Sequence, residues 1–141
     1  MTPSSAIPWT AAAACLLLLA GGCGTEPAPL ATVRGKVFYR GAPLGGGTIV
    51  FIPDADRGSS GPLARAEIQA DGSYVLATDD QPGAVAGWHR VTVLAVLPPD
   101  PRQQPPVHRA LVPRRYSDPD FSRLSCRVKP NEENVIDFHL E

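Results

Sequence analysis

The amino-acid sequence predicts an all-β protein, and the spacing of its strands and turns favours a seven-stranded antiparallel β-sandwich. Short runs rich in β-branched and aromatic residues recur along the chain, and Gly, Pro, Asn and Asp separate them. The 141 residues include 16 prolines and 13 glycines, which suit many turns and few helices. No stretch after residue 25 has the apolar spacing of a helix. The sequence therefore predicts one sandwich domain, over residues 32–141, with appendages before it.

Residues 1–22 are typical of a secretory signal peptide. The apolar run 11–20 has the length of a signal-peptide core and is too short to span a bilayer. Gly21-Gly22-Cys23 follows this run and resembles a bacterial lipobox, which implies cleavage before Cys23 and attachment of lipid to that cysteine. Residues 23–31 are then the lipid-attachment site and a short tether. Gly24, where aspartate marks inner-membrane retention in many lipoproteins, favours the outer membrane.

Two features depart from the lipobox pattern. No Lys or Arg precedes the apolar run, and Ala20 stands where leucine is usual. The alternatives are an uncleaved membrane anchor and an ordinary secretory signal.

Alternation of apolar and polar residues predicts the first three strands, over residues 32–39, 48–52 and 64–68. In the first strand, one face is predicted to hold Val33, Gly35, Val37 and Tyr39. The polar segment 54–62 is expected to be a mobile loop.

The stretch from Asp71 to Leu97 organises the predicted sandwich. Asp71-Gly72 predicts a hairpin turn between the third strand and a fourth at 73–77, because its glycine adopts a positive φ without steric cost. The fifth strand, 88–97, is the longest, and apolar residues on both faces of its C-terminal half predict a central position. The side chains expected to point inward from it are His89, Val91, Val93 and Ala95.

The last part of the domain begins with residues 98–113, which are too rich in proline for an interior strand and predict an extended excursion. A sixth strand follows at 124–128, with Cys126 inward as a small core residue. A seventh strand is predicted at 134–140.

These turns and strands resemble those of carboxypeptidase-regulatory-like (transthyretin-like) domains, over residues 32–141. The resemblance implies a prealbumin-like, non-catalytic sandwich that serves as an accessory or interaction module of the cell envelope. The segments that carry it are Val33-x-Gly35-x-Val37, Gly41-x-Pro43-Leu44, Val50-Phe51-x-Pro53, Asp71-Gly72-x-Tyr74-x-Leu76, Gly87-x-His89-x-Val91-x-Val93, Val112-Pro113-x-x-Tyr116-Ser117, Leu124–Val128 and Asn134-x-Ile136-x-Phe138-x-Leu140.

The same fold has an enzymatic relative that hydrolyses 5-hydroxyisourate with two histidines and an arginine, and that ends in Tyr-Arg-Gly-Ser. This sequence ends in Phe138-His139-Leu140-Glu141, so that signature is absent. Its other histidines, His89 and His108, lie on separate segments. We therefore expect no catalytic site, and a transthyretin-like hydrolase is the less favoured alternative.

Charge separates along the predicted sandwich. If the strands alternate in direction, one end holds six carboxylates, which could bind Ca²⁺ through oxygen ligands or remain solvated loop charges. The six are Asp54, Asp56, Asp79, Asp80, Glu132 and Glu133.

The opposite end carries Arg40 and Arg102 together with three further arginines that are candidates for binding an anionic envelope polymer or partner protein, Arg109, Arg114 and Arg115. Because 13 basic and 14 acidic residues nearly cancel, no partnership with nucleic acid is expected. The sequence thus predicts a non-catalytic, lipid-anchored envelope protein without a cofactor. A secreted carbohydrate- or ligand-binding module, with Trp88 on an aromatic platform, is the alternative.

Overall fold

The computed structural model describes residues 28–141, in which nearly all regular secondary structure is short β-strand. Two 3₁₀ helices, Ala55–Arg57 and Arg114–Ser117, are the exceptions. The signal peptide and Cys23 lie outside the described residues. The strands, in chain order, are Leu30–Ala31 (β1), Val33–Tyr39 (β2), Ala42–Pro43 (β3), Thr48–Pro53 (β4), Ala64–Glu67 (β5), Ser73–Val75 (β6), Ala77–Thr78 (β7), Gln81–Pro82 (β8), Ala84–Val85 (β9), Gly87–Leu94 (β10), Leu124–Val128 (β11), Asn134–Val135 (β12) and Phe138–Leu140 (β13).

Two open sheets carry most of these strands. The first has the order β11-β10-β4-β5-β7-β8, and in the second β2 pairs with β12, β13, β3 and β6. Strands β1 and β9 form a separate pair. The prediction of an all-β, sandwich-like fold is confirmed, and β10 is central as expected. The seven predicted strands correspond to nine of the thirteen, because the fourth is divided between β6 and β7, which join different sheets, and the last is interrupted between β12 and β13. The short strands β1, β3, β8 and β9 lie outside the predicted strands.

The prediction of purely antiparallel pairing is wrong, since β12 and β13 both run parallel to β2. The reason is topological: seven segments that alternate in direction leave the first and seventh pointing the same way, so they must pair in parallel when they become neighbours. The amide of Ile136 donates to Arg34 O at 2.8 Å. At the interruption between β12 and β13, a side-chain oxygen of Asp137 accepts from the amide of Lys36 at 2.8 Å.

The Asp71-Gly72 turn forms, with Gly72 at φ +83° and a hydrogen bond from its amide to Gln69 O. The expected simple hairpin does not follow from it. The strand after the turn, β6, pairs with β2 rather than with β5, and only its continuation β7 pairs with β5.

The core lies between the two sheets and takes side chains from both. Phe51 of β4 packs edge-on against Phe138 of β13, with ring centroids 5.8 Å apart. It also contacts Tyr74 of β6, whose hydroxyl donates to Ile136 O at 2.5 Å. The four predicted inward residues of the longest strand, including His89, are all buried, which confirms the predicted face.

Segment 54–62 is more ordered than the mobile loop that we expected. The side chain of Asp54 caps the helix Ala55–Arg57 by accepting from the amide of Asp56 at 3.2 Å. Ser59 is 8% exposed, and its hydroxyl accepts from the amide of Trp88 at 2.7 Å. The amide of Asp54 also donates to Trp88 O at 2.8 Å, so Asp54 and Ser59 both hold the loop to β10.

Among residues 28–141 there is no helix both long enough and apolar enough to cross a bilayer.

Candidate functional site

The strand directions give the sandwich two distinct ends. At the entry end, defined here by segments 54–63, 79–86 and 129–133, the chain enters through β1, where Leu30 pairs with Val85. A Cβ built on Gly61 would lie 3.2 Å from the side chain of Val85, so two of these segments touch each other. The far end is defined by segments 40–47, 68–72 and 95–117, and the chain then returns through Asp120 to Arg90 on β10. The grouping predicted from alternating strands agrees with this arrangement.

Asp54 and Asp56 belong to an ion-pair network at the entry end that is centred on Arg90. The guanidinium of Arg90 lies 3.3 Å from Asp54, contacts Asp56, and lies 2.6 Å from Asp120. These carboxylates, with Asp54 contributing most, raise the pKa of Arg90. Arg57 lies 3.6 Å from the same Asp54, which is 6% exposed. The carboxylates therefore already have cationic partners, and no sequence signal linked Asp120 to them.

Two more of the candidate carboxylates pair locally. Glu133 contacts Arg34, and Glu132 lies 3.7 Å from Lys129. These contacts are exposed and contribute little to stability. They lie on the segment before β12, apart from the Arg90 network.

Asp79 and Asp80 form the two-residue turn that joins β7 to β8, with φ of 45° and 66°. They face a groove of about 720 Å³ on the outer surface of the first sheet. The structure therefore divides the six predicted ligands among three places. Within the described residues no group of three or more His, Cys, Asp or Glu is arranged to hold a metal ion, and the Ca²⁺ site stays a prediction.

Arg115 and Arg114 differ in what they contact at the far end. Arg115 donates to the hydroxyl of Tyr116 at 2.9 Å and to Glu141 O at 3.3 Å, and the hydrogen bond to Tyr116 raises its pKa. It thereby joins the helix Arg114–Ser117 to the end of β13. Arg114 and Arg109 take part in none of the ion pairs found among residues 28–141. Of the three predicted partner-binding arginines, these two are available.

Beside Arg114 lies a groove that the sequence did not indicate. After β10 the chain continues in extended form and pairs with the returning segment 109–111, through Leu111 N to Ala95 O and Leu97 N to Arg109 O, both at 2.8 Å. The predicted excursion is thus a closed hairpin-like return. The far-end groove beside it has a volume of about 400 Å³ and is lined by Val93, Leu94, Ala95, Val96, His108, Ala110, Val112, Pro113, Arg114 and Ser117.

The three described histidines have different surroundings. His89 is fully buried beside Phe51, and burial lowers its pKa. Its Nδ1 lies 3.1 Å from Gly87 O, and its Nε2 is the single buried side-chain N or O atom without a partner in the described part of the chain. His108 lines the far-end groove, and His139 stacks on Phe38 at the second sheet. The structure thus places them in the core, at the far end and on β13.

Cys126 lies opposite His89 on the neighbouring strand β11. Burial raises the pKa of its thiol to about 12, so the thiol is protonated at neutral pH and a poor nucleophile. Its partly buried position against the core agrees with the small core residue that we expected.

The aromatic rings available for a carbohydrate platform are covered by arginine. Arg57 lies over Trp88 at 4.4 Å, and Arg115 lies over Tyr116 at 4.8 Å. Tyr39 is similarly approached by its neighbour Arg40, at 5.2 Å. These three rings each have a cation at one face, which leaves less open ring surface for stacking on a sugar.

Comparisons with protein-family models, with curated proteins and with solved structures find no match to this chain. The resemblance to carboxypeptidase-regulatory-like domains therefore stays a prediction.

Proposed function

We propose that this protein is a non-catalytic, lipid-anchored protein of the cell envelope whose sandwich acts as a binding, accessory or spacer module. One observation carries the proposal: the chain enters the sandwich at the end opposite the unpaired Arg109 and Arg114, a few residues after the lipobox-like Cys23. An anchor at Cys23 would hold the entry end toward the membrane and present the far end to partners.

The tether length supports this arrangement. Four residues lie between Cys23 and Ala28, where the described chain begins, and an extended chain spans at most about 3.5 Å for each of the five steps. The entry end would therefore stay within roughly 20 Å of the lipid. Acidic side chains there, such as Asp79, Asp80 and Glu132, would be repelled by an anionic leaflet, which favours an upright domain. Because Gly24, rather than aspartate, follows Cys23, the proposed membrane is the outer one.

Metabolic labelling with a palmitate analogue tests the anchor. We expect label and membrane association in cells that express the full chain, and loss of both in Cys23→Ala. Cys126→Ser is the matched control, because Cys126 lies in the sandwich and its replacement should leave labelling unchanged. If none of the three proteins is labelled and all are soluble, the lipid anchor is refuted, and a secreted ligand-binding module becomes the function to test.

The non-catalytic part of the proposal has its own test. Purified protein incubated with a ureide substrate such as 5-hydroxyisourate should give no turnover above the uncatalysed rate. Turnover that disappears in His108→Ala or His139→Ala would replace the proposal with a hydrolase of the transthyretin-like kind.

A further inference from the structure

The far-end groove combines apolar side chains with one arginine. Leu94 and Val96 contribute its wall and are 54% and 45% exposed, which is unusual for large aliphatic side chains that lie together. Ala110, the β-bridge partner of Val96, and the mostly buried Val112 also line it. Arg114 and His108 also line the groove, and none of the described residues that line it carries a carboxylate. The charge of Arg114 is therefore uncompensated beside an exposed apolar surface.

We propose that the far-end groove binds a free amphipathic carboxylate of medium chain length, with the chain against Leu94, Val96 and Val112 and the carboxylate at Arg114. This inference gives the binding role proposed above a ligand class. The groove and its charge do not depend on lipidation of Cys23, and only the choice of a free ligand over a membrane lipid rests on the proposed anchor.

The size of the groove limits the ligand. Its volume of about 400 Å³ is at the small end of the range of about 300–1,000 Å³ that is usual for small-molecule sites. A chain of medium length fits this space better than a long acyl chain or an amphipathic helix, which would extend beyond the apolar walls.

The backbone around the groove argues against a peptide as the occupant. An extended peptide gains affinity by adding to a free strand edge. Here the two backbones beside the groove pair with each other, through Ala95 with Leu111 and Leu97 with Arg109. The edge between these two segments is therefore closed to an added strand, and the groove offers a ligand side-chain surface and a guanidinium.

The position of the groove argues against a lipid in the anchoring membrane. It lies at the far end, and the proposed tether would hold the opposite end toward the bilayer. A ligand at this site would reach it from the aqueous phase.

A pair of photoactivatable probes tests the proposal on the full chain in isolated membranes. One probe is a ten-carbon carboxylate with a diazirine and an alkyne, and the other is the matched trimethylammonium compound with the same chain. We expect the carboxylate probe to label residues 93–96 or 110–114, as mapped by mass spectrometry, and excess unmodified decanoate to compete. Because hydrogen bonds to charged groups are strong, Arg114→Gln should reduce labelling about tenfold.

Two variants keep the result interpretable. Arg65→Gln removes an exposed arginine from the larger groove on the first sheet and should leave labelling unchanged. Leu94→Ser keeps Arg114 but weakens the apolar wall and should also reduce labelling. Thermal melting of each variant reports whether it is folded.

Several results would overturn the proposal. Equal labelling by the cationic probe, or labelling of a folded Arg114→Gln protein at the parent level, would show an apolar patch without anion selectivity. No labelling of the groove would exclude a carboxylate ligand. Competition by phosphatidylglycerol vesicles but not by decanoate would assign the groove to a lipid surface, and competition by an acidic peptide alone would assign it to a protein.

Discussion

Replacing Gly35 with alanine should disrupt the junction between the first and last strands. Gly35 lies in β2 beside the interruption between β12 and β13, and a Cβ built on it would be 1.8 Å from Ile136 O and 3.0 Å from the hydroxyl of Tyr74. Contacts of a Cβ below 3.0 Å essentially do not occur, so the carbonyl of Ile136 must move by at least about 1 Å. Because the atom in the way is backbone, no side-chain rotation can relieve the contact.

The hydrogen bonds at the junction set the size of the effect. Moving Ile136 would weaken its own bond to Arg34 O, the bond that it accepts from Tyr74, and the neighbouring bond from Lys36 to Asp137. At about 1 kcal/mol net for each bond, the free energy of unfolding should fall by about 3 kcal/mol. That is a large fraction of the 5–15 kcal/mol that is typical of a domain, and it corresponds to a fall in Tm of roughly 10–15 °C.

Urea unfolding followed by circular dichroism measures this loss. Gly45→Ala is the control, because Gly45, like Gly35, does not have a left-handed backbone conformation. A Cβ added at Gly45 would lie 3.1 Å from its nearest neighbour, Ala70 O. We expect this control to lose less than about 1 kcal/mol. A Gly35→Ala protein within about 0.5 kcal/mol of the parent would refute the close approach of β2 and Ile136.

Three further predictions concern stability. Tyr74→Phe leaves the carbonyl of Ile136 without its 2.5 Å hydrogen bond and should cost about 1–2 kcal/mol in urea unfolding. Burial lowers the pKa of His89 in the folded state, so as the pH falls the unfolded state binds a proton at this histidine before the folded state does. The contribution of His89 to the free energy of unfolding should therefore be fully present above about pH 6.5 and be lost at lower pH. Melting temperatures from pH 7 to 5.5 should show this fall, and His89→Leu should flatten it; an unchanged slope would contradict the assignment. Asp80 is a non-glycine residue with left-handed backbone in a two-residue turn. Asp80→Gly should remove the resulting strain and raise the free energy of unfolding by about 1 kcal/mol, whereas Asp80→Ala should not.

Local patterns predicted the positions of the strands and their buried faces. Tyr74 and Leu76, two residues apart, are both 1% exposed, and Val33 and Val37 are fully buried. Side chains alternate with a period of two whatever strand lies alongside, so this information is present in each segment alone. The direction of each strand could also be predicted, because it follows from the number of turns that precede the strand.

Pairing between distant segments was harder to predict from the sequence. The parallel contact of β12 and β13 with β2 joins residues about 100 positions apart, and no local pattern distinguishes a parallel neighbour from an antiparallel one. The change of sheet between β6 and β7 was equally hard to predict, because Tyr74 and Leu76 both point into the core although the chain changes sheets between them.

The candidate site was predicted in part. The sequence placed Arg109 and Arg114 at one end, but it did not show that only Arg115 would be held by Tyr116. The far-end groove depends on the return of segment 109–111 to the end of β10, which proline content alone does not determine. The Arg90 network likewise joins three segments whose meeting is a property of the folded chain.

The parallel pairing of β2 with β13 also determines how the domain resists pulling. A force applied between Ala28 and the far end enters β2 at its beginning, while β13 finishes at the opposite end with Leu140. The two strands are then loaded in shear, so the bonds from Asn134 to Thr32 O, from Ile136 to Arg34 O and from Arg40 to Leu140 O are strained together rather than one after another. A domain tethered at its entry and gripped at its far end would therefore withstand more tension than one whose terminal strands peel apart.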